Sequence, residues 1–412
     1  MCYHIHTSNQ HIKYGEKHMT LIKEDVLNGR KLELYQQNSL PEWGYEKPQT
    51  DTFAIYYPKD YDPEKSYPLW VVFHSAGHDV YSTIECIKEE GNHDIYHVVD
   101  DAFGLILDCR ANTQGTTDWW WGGASAQADL SDPEVIKKRS IETQPVEKRC
   151  IATVLDTMAK YPIDENRVYA CGNSMGGSGS LGIALSRGDI FAGIKANVPA
   201  GVRHAADRCC LDLEAPEGFK IPDPPIVVDY SAQNDGWSDG HEVLYDGMNA
   251  KKYLLMGFWG AFGHANNHAQ IAKYNDLIHS FDLFGVKKNE AYPAFTNAST
   301  NDPLPWPSDR DSKAAGQVNA FFRWEVIKDE ENEFEITLRL INESDWQTRV
   351  ELPKESTADV TMRRLQNFKP NDGDEIAWEY GDAKGNVTCK DGIFTVEKLA
   401  ITQSGCILKF NK

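Results

Sequence analysis

The segment Arg167-Val168-Tyr169-Ala170-Cys171 runs into Gly172-Asn173-Ser174-Met175-Gly176-Gly177 and then into a helical pattern. No other stretch limits the fold of this chain as strictly. An apolar, partly β-branched run that ends on glycine describes a buried strand, and Gly177–Leu185 describes a helix. A strand that turns sharply into a helix holds the serine between them in a strained conformation, with its hydroxyl above the end of a sheet. Residues two before and two after that serine must be small, because a Cβ there meets neighbouring backbone. The Met175 N–H, at the start of the helix, then points at charge developing beside the serine. The turn is read as a nucleophile elbow centred on Ser174, in preference to a fortuitous Gly/Ser-rich turn.

The surroundings agree with such a turn. Between Lys31 and about Gly285, short strand-like runs alternate with amphipathic stretches. The strand-like runs are Lys31–Tyr35, Thr52–Tyr57, Leu69–Phe73, Phe103–Leu107, Val168–Cys171, Ile194–Val198, Ile226–Asp229 and Tyr253–Phe258. Helical patterns cover Arg149–Lys160, Gly177–Leu185 and His268–Phe284. This alternation implies a mostly parallel sheet covered on both faces, with the first two runs as an antiparallel edge. Residues Ala291 to Asp311 carry Pro293, Pro303, Pro305 and Pro307 among polar residues, which reads as a linker. Beyond it the pattern changes to period two, as in Phe334–Ile341. Further strands are expected at Thr348–Leu352, Asp359–Arg363, Ile376–Tyr380, Gly392–Val396 and Cys406–Phe410. The expected organisation is a polar leader over 1–29, a catalytic α/β domain over 30–290, a Pro-rich linker over 291–312 and an all-β sandwich over 313–412.

Composition excludes some partners. A formal charge of −20 and a sequence pI near 5.1 argue against nucleic acid and anionic membrane. No stretch approaches the ~20 apolar residues of a membrane span. The N-terminus holds His4, His6, His11 and His18, but in no spacing that defines a metal site, and it lacks the apolar core of a signal peptide. The chain as given reads as cytoplasmic, or as exported if a signal has been removed. Its nine cysteines are an odd number and include no CxxC pair, so zinc is not expected and most thiols are read as reduced.

A serine hydroxyl is a weak nucleophile unless an imidazole takes its proton and a carboxylate orients that imidazole. On a strand–elbow–helix scaffold these follow in the order Ser, acid, His. The strand around Ile226–Asp229 leads to Ala232-Gln233-Asn234-Asp235-Gly236-Trp237, which makes Asp235 the acid. Asp239 is its first rival, and Asp229 lies within the strand as a buried group. The next strand leads to Trp259-Gly260-Ala261-Phe262-Gly263-His264, which makes His264 the base, with His268 as the alternative. His241 and His279 lie away from the loop.

A second oxyanion donor belongs on the loop after Leu69–Phe73, where His74-Ser75-Ala76-Gly77 supplies Ala76 N–H, with Gly77 N–H close behind. His74 itself precedes the nucleophile and is read as structural. Three adjacent tryptophans, Trp119-Trp120-Trp121, cannot all enter one core. Trp120, Trp121 and Trp237 are therefore the substrate-binding candidates, against an anchoring role of equal weight.

The run Tyr161-Pro162-Ile163-Asp164-Glu165-Asn166-Arg167-Val168-Tyr169, followed by the elbow, closely resembles the feruloyl esterase, acetyl xylan esterase and polyhydroxybutyrate depolymerase group. Related segments occur in prolyl-oligopeptidase-like hydrolases. Over roughly residues 30–285 the resemblance implies an α/β-hydrolase fold, with Ser174, Asp235 and His264 as nucleophile, acid and base. Two departures stand out: His74-Ser75 where the group has His-Gly, and Ala232-Gln233-Asn234-Asp235 at the acid loop.

The expected function is a serine carboxylic-ester hydrolase working through an acyl-enzyme, with no cofactor or metal. Its substrate would be an acyl or feruloyl ester, with plant cell-wall carbohydrate as a possible carrier. A prolyl-oligopeptidase-like peptidase is the alternative, although such enzymes usually carry a large domain before the hydrolase domain. A carbohydrate-binding protein on an inactive hydrolase scaffold is the third reading, and the ordered Ser, Asp and His argue against it.

Overall fold

The computed structural model describes residues 18–89, 94–109, 117–122, 142–215, 217–265 and 272–412. Its centre is a sheet of strands β1 (Met19–Leu27), β2 (Arg30–Asn38), β3 (Thr50–Tyr56), β4 (Tyr67–Phe73), β5 (Phe103–Ile106), β6 (Ile163–Asn173), β7 (Gly193–Asn197), β8 (Ile226–Ala232) and β9 (Leu255–Gly260). A short strand from further along the chain, β11 (Gly316–Val318), completes it. The spatial order is β1-β2-β3-β5-β4-β6-β7-β8-β9-β11. From β5 through β4 to β9 the neighbours are parallel, whereas β1, β2 and β3 form an antiparallel edge.

The reason lies in the runs themselves. Every residue of β4 is buried, as a strand covered on both faces requires. The chain passes from β4 to one side, into β5, and then crosses to the other side, into β6. That reversal leaves a crevice at the carboxyl ends of β4 and β6, where ligands of open α/β sheets bind. On the faces lie helices such as Pro145–Lys160, which starts with proline at its first position and a capping box between Gln144 and Glu147. Its buried stripe of Val146, Cys150, Thr153, Val154 and Thr157 meets the sheet. This is the α/β-hydrolase arrangement.

The remaining strands are β10 (Tyr292–Thr296), β11 (Gly316–Val318), β12 (Phe322–Asp329), β13 (Glu333–Leu340), β14 (Glu355–Arg363), β15 (Glu375–Tyr380), β16 (Ala383–Thr388), β17 (Thr395–Thr402) and β18 (Cys406–Asn411). A three-stranded sheet, β10-β14-β17, faces a five-stranded one, β12-β13-β18-β15-β16, as the expected C-terminal sandwich. All their pairings are antiparallel. The alternating burial of β13 is the period-two pattern made visible.

Several sequence expectations differ from what forms. Residues 19–27 of the polar leader are strand β1, whose side chains are nearly all exposed. It is held by its ladder to β2, so no apolar period marks it. The Pro-rich segment 291–312 is no free linker: β10 is wholly buried within it, and so is Trp306. Thr348–Leu352 forms no strand, and Arg349 N–H donates to Asp276 at 3.0 Å. The strand expected at Gly392–Val396 starts later, at Thr395, after a β-bridge turn between Lys390 and Ile393. His4, His6, His11 and His268 lie outside the described residues. None of the eight described cysteines is bridged to another described cysteine.

The sandwich and the α/β sheet share one apolar cluster. It runs from Val72, Cys171, Met256 and Phe258 through Leu283, Tyr292 and Phe295 to Phe322, Ile336 and Phe410. Phe295 stacks on Phe322 with centroids 4.1 Å apart. A chain ending at Phe284 would expose this face, an aggregation liability. We expect that truncation to be insoluble or to lose its cooperative thermal transition. A soluble product melting at the parental temperature would count against this shared core.

Candidate active site

Ser174 stands between β6 and the helix Met175–Ala184 with φ 57° and ψ −120°, a strained conformation for a residue with a side chain. Glycine on either side makes the turn possible. A Cβ on Gly172 would lie 2.1 Å from the Gly176 carbonyl oxygen, and one on Gly176 would lie 1.9 Å from that of Phe73. The elbow is thus pressed against the end of β4. Ser174 N–H donates to Asn197 O at 2.9 Å, which ties the turn to β7 as well.

From this perch the Ser174 hydroxyl reaches His264 Nε2 at 2.6 Å. The opposite ring nitrogen, Nδ1, lies 2.6 Å from Asp235 Oδ2. A carboxylate only accepts, so Nδ1 carries the proton and Nε2 is left to accept from the serine. Asp235 is almost fully buried, and its other oxygen accepts from Trp237 N–H at 2.8 Å. His264 follows β9, and its loop is tied to the acid loop where Gly263 N–H donates to Asn234 Oδ1 at 2.8 Å. The rival carboxylates are elsewhere. Asp239 is exposed and uses its backbone carbonyl to accept from Val202 N–H. Asp229 is buried within β8, accepting from the Tyr245 and Ser231 hydroxyls at 2.6 and 2.8 Å.

Beside the serine lies a cavity of about 520 Å³ lined by Ala76, Gly77, His78, Thr117, Trp119 and Met175, among others. Met175 N–H is one of the unpaired first-turn amides of its helix. Among the described residues, no backbone carbonyl accepts from it or from Ala76 N–H. The loop bearing Ala76 is pinned by its neighbours. Ser75 N–H donates to the Tyr96 hydroxyl at 2.8 Å, and Ser75 Oγ donates to Asn173 O at 2.9 Å. His74 accepts from Cys109 N–H at Nε2 (2.9 Å), so its Nδ1 is the donor to Ser75 O (2.9 Å). A cavity of about 540 Å³ in the sandwich, lined by Trp378 and Phe394, contains none of these groups.

The tryptophans divide differently from expectation. Trp120 is fully buried beneath the Ala76 loop, packs edge-on to Phe73, and donates from Nε1 to His74 O at 3.0 Å. It has no face to offer a substrate, because the positive φ of Trp119 and Trp120 (53° and 65°) turns it under the loop. Trp121 is half-buried and stacks on the His204 ring at 4.1 Å. Trp237 is 53% exposed, with its ring 6.4 Å from that of His264. The wall residue missed in the sequence is Trp119, 6.2 Å from Trp237. Its neighbours in the triplet gave no signal that separated one indole from another.

The esterase family model matches residues 48–266, over half of the chain, a span that contains Ser174, Asp235 and His264. No curated protein matches the chain. Solved structures similar to it include an S-formylglutathione hydrolase from Agrobacterium tumefaciens, at 15% identity and TM-score 0.43, covering 62% of this chain and 95% of that one. A ferulic acid esterase from Anaeromyces mucronatus is similar at 16% identity and TM-score 0.40, over 62% and 91%. An acetyl xylan esterase from a Paenibacillus species is similar at 12% identity and TM-score 0.43, over 64% and 88%.

Two measurements follow from the burial around the site. Trp120→Ala should lower unfolding stability by about 3–5 kcal/mol in denaturant titrations, whereas Trp237→Ala should change it by less than about 0.5 kcal/mol. Equal effects would contradict the placement of the two rings.

Burial also pushes the Asp229 carboxyl up to about 7, against the smaller opposing effect of its two hydroxyl partners, while Oδ1 has no hydrogen-bond partner among the described residues. Between the unfolded value of about 4 and that folded value, the native state holds a proton the unfolded chain has released. Stability from this group is therefore complete below about pH 4 and lost as pH rises through about 7. Asp229→Asn should flatten the fall in stability across that window. Buried Glu147, also pushed up to about 7, keeps part of the slope. Parallel curves for parent and variant would show that Asp229 does not carry it.

Proposed function

The chain belongs to the esterase family and is a carboxylic ester hydrolase, and on that premise we propose that it works through a serine acyl-enzyme. Ser174 is the nucleophile, His264 the general base and Asp235 the acid that orients it. The observation that carries the reading is the continuous chain from Ser174 Oγ through both nitrogens of His264 to Asp235, with both contacts at 2.6 Å.

In the first half-reaction Ser174 Oγ bonds to the ester carbonyl carbon while its proton passes to His264 Nε2. The carbonyl oxygen becomes an oxyanion that accepts from Met175 N–H and Ala76 N–H, which border one cavity. Each such donor is worth about 10²–10³ in rate. Collapse of the intermediate breaks the bond to the alcohol oxygen, and His264 returns its proton to that oxygen. Water then enters in place of the alcohol; its oxygen bonds to the acyl carbon as its proton passes to His264 Nε2, and His264 returns that proton to Ser174 Oγ as the acyl–Oγ bond breaks and the acid leaves. Asp235 stabilises the imidazolium in both halves and keeps its own charge.

Two aromatic faces, Trp119 and Trp237, flank this centre. Flat rings suit an aromatic acyl group or a sugar ring, and they favour acyl or feruloyl esters, including those on plant polysaccharide, as substrates. The β-sandwich is assigned a packing role.

Ser174→Ala should reduce kcat on a short-chain aryl ester by about 10⁶-fold, and Asp235→Asn by about 10⁴-fold. A phosphonylating probe should add one mass equivalent to the parent and none to Ser174→Ala. Unchanged hydrolysis by Ser174→Ala would end the reading. A panel of acyl esters from acetyl to feruloyl, on soluble and polysaccharide carriers, then ranks the substrates.

A further inference from the structure

The family match ends at residue 266, yet the loop that carries Asp235 is gripped by residues well beyond it. Asp302 accepts from Gln317 N–H at 3.0 Å and Tyr274 OH at 3.0 Å, which fixes one end of a strap. Trp306 is buried and donates from Nε1 to Ser238 Oγ at 3.2 Å. The other end of the strap is β11, which pairs with β9, Gly316 opposite Trp259 and Val318 opposite Gly257. Between these anchors the backbone carbonyls of Ser312 and Ala314 accept from Gln233 Nε2 at 2.7 and 3.1 Å.

Arg310 lies in the middle of the strap. Its Nε donates to Gln233 O at 3.1 Å, and its Nη2 donates to Asp235 O and to Ser238 Oγ, the latter at 3.1 Å. Gln233 directly follows β8 and makes the last bond to the neighbouring strand, its N–H donating to Gly260 O at 3.1 Å. Past that point the loop carbonyls have no strand to accept from. One guanidinium therefore holds the chain on both sides of Asn234, the residue whose side chain also receives Gly263 N–H beside His264. A planar fork suits two acceptors held in fixed relation, which a single ammonium does not match. Among the described residues Arg310 forms no ion pair, so its polar contacts all go to the acid loop.

We propose that Arg310 is a positioning residue of the hydrolytic reaction, which holds Asp235 where its carboxylate meets His264 Nδ1. The proposal rests on the reading of Ser174, His264 and Asp235 as the catalytic chain. Because Trp306, Gln233 and β11 anchor the strap independently, removal of Arg310 leaves the strap seated and loosens the acid loop alone. A displacement of about 1 Å in such a group costs about 10²-fold in rate.

The test is a double-mutant cycle on the full chain, with an aryl acetate as substrate. Arg310→Ala should lower kcat ten- to about 100-fold while KM stays within twofold, since the acid acts in the transition state and binds no substrate. Arg310→Lys should recover part of the loss. In the Asp235→Asn background, Arg310→Ala should have no further effect on kcat, whereas a merely structural residue would lower it by the same factor in both backgrounds. Should Arg310→Ala not fold, the cycle is run with Arg310→Lys, whose loss should be several-fold and should likewise vanish beside Asp235→Asn. A kcat within twofold of parent for Arg310→Ala, or for Arg310→Lys where it alone folds, next to a disabled Asp235→Asn, overturns the Arg310 proposal and leaves the triad reading standing. So does a loss undiminished in the Asp235→Asn background. Parental activity in Asp235→Asn overturns the triad reading and this proposal together.

Discussion

The contact on which the site depends is the close approach of two backbones, the elbow after β6 and the end of β4. Gly176 sits so near the Phe73 carbonyl that a Cβ there would lie 1.9 Å from its oxygen. Without that approach, Met175 N–H and Ala76 N–H would not border one cavity. The approach is maintained from both sides by groups that never meet substrate. Tyr96 and Asn173 hold Ser75, and Trp120 holds the His74 carbonyl from beneath. Strain at Ser174 is supported by this surrounding packing, which is where strained residues persist.

Asp235 and His264 are held in another way. Both lie on loops beyond parallel strands, and both loops are tied to the chain that leads into the C-terminal sandwich. β11 extends β9, Arg310 holds the carbonyls of the acid loop, and Asn234 joins that loop to the one bearing His264. The apolar cluster that continues into the sandwich gives this arrangement a stable base. The hydrolase sheet and the sandwich therefore act as one packed body around the site.

Two carboxylates six residues apart show how surroundings assign roles. Asp235 accepts from a backbone amide and faces the His264 imidazole, the ring that would become charged in the proposed reaction. Asp229 has two hydroxyl partners on one oxygen and, among the described residues, none on the other, and its carboxyl is raised toward neutrality by burial. A protonated acid in that position offers no charge to stabilise an imidazolium. The strand's alternation directs Asp229 into the interior, and the loop beyond Ala232 brings Asp235 to the crevice.

The sequence by itself determined the local features: the elbow, the order of Ser174, Asp235 and His264, the parallel core strands and the period-two strands of the sandwich. Each is written within a few residues, as glycine spacing, apolar runs or alternation. It was silent where stability comes from partners distant in the chain. β1 has no apolar period because its ladder with β2 holds it, and segment 291–312 looked like a linker because its anchoring depends on Ser238, Gln233 and β9. Which of three adjacent tryptophans faces the cavity was likewise decided by packing, through backbone angles that the residue types do not specify. Local pattern selects which elements form, and only tertiary contact decides which side chains a folded chain turns toward its site.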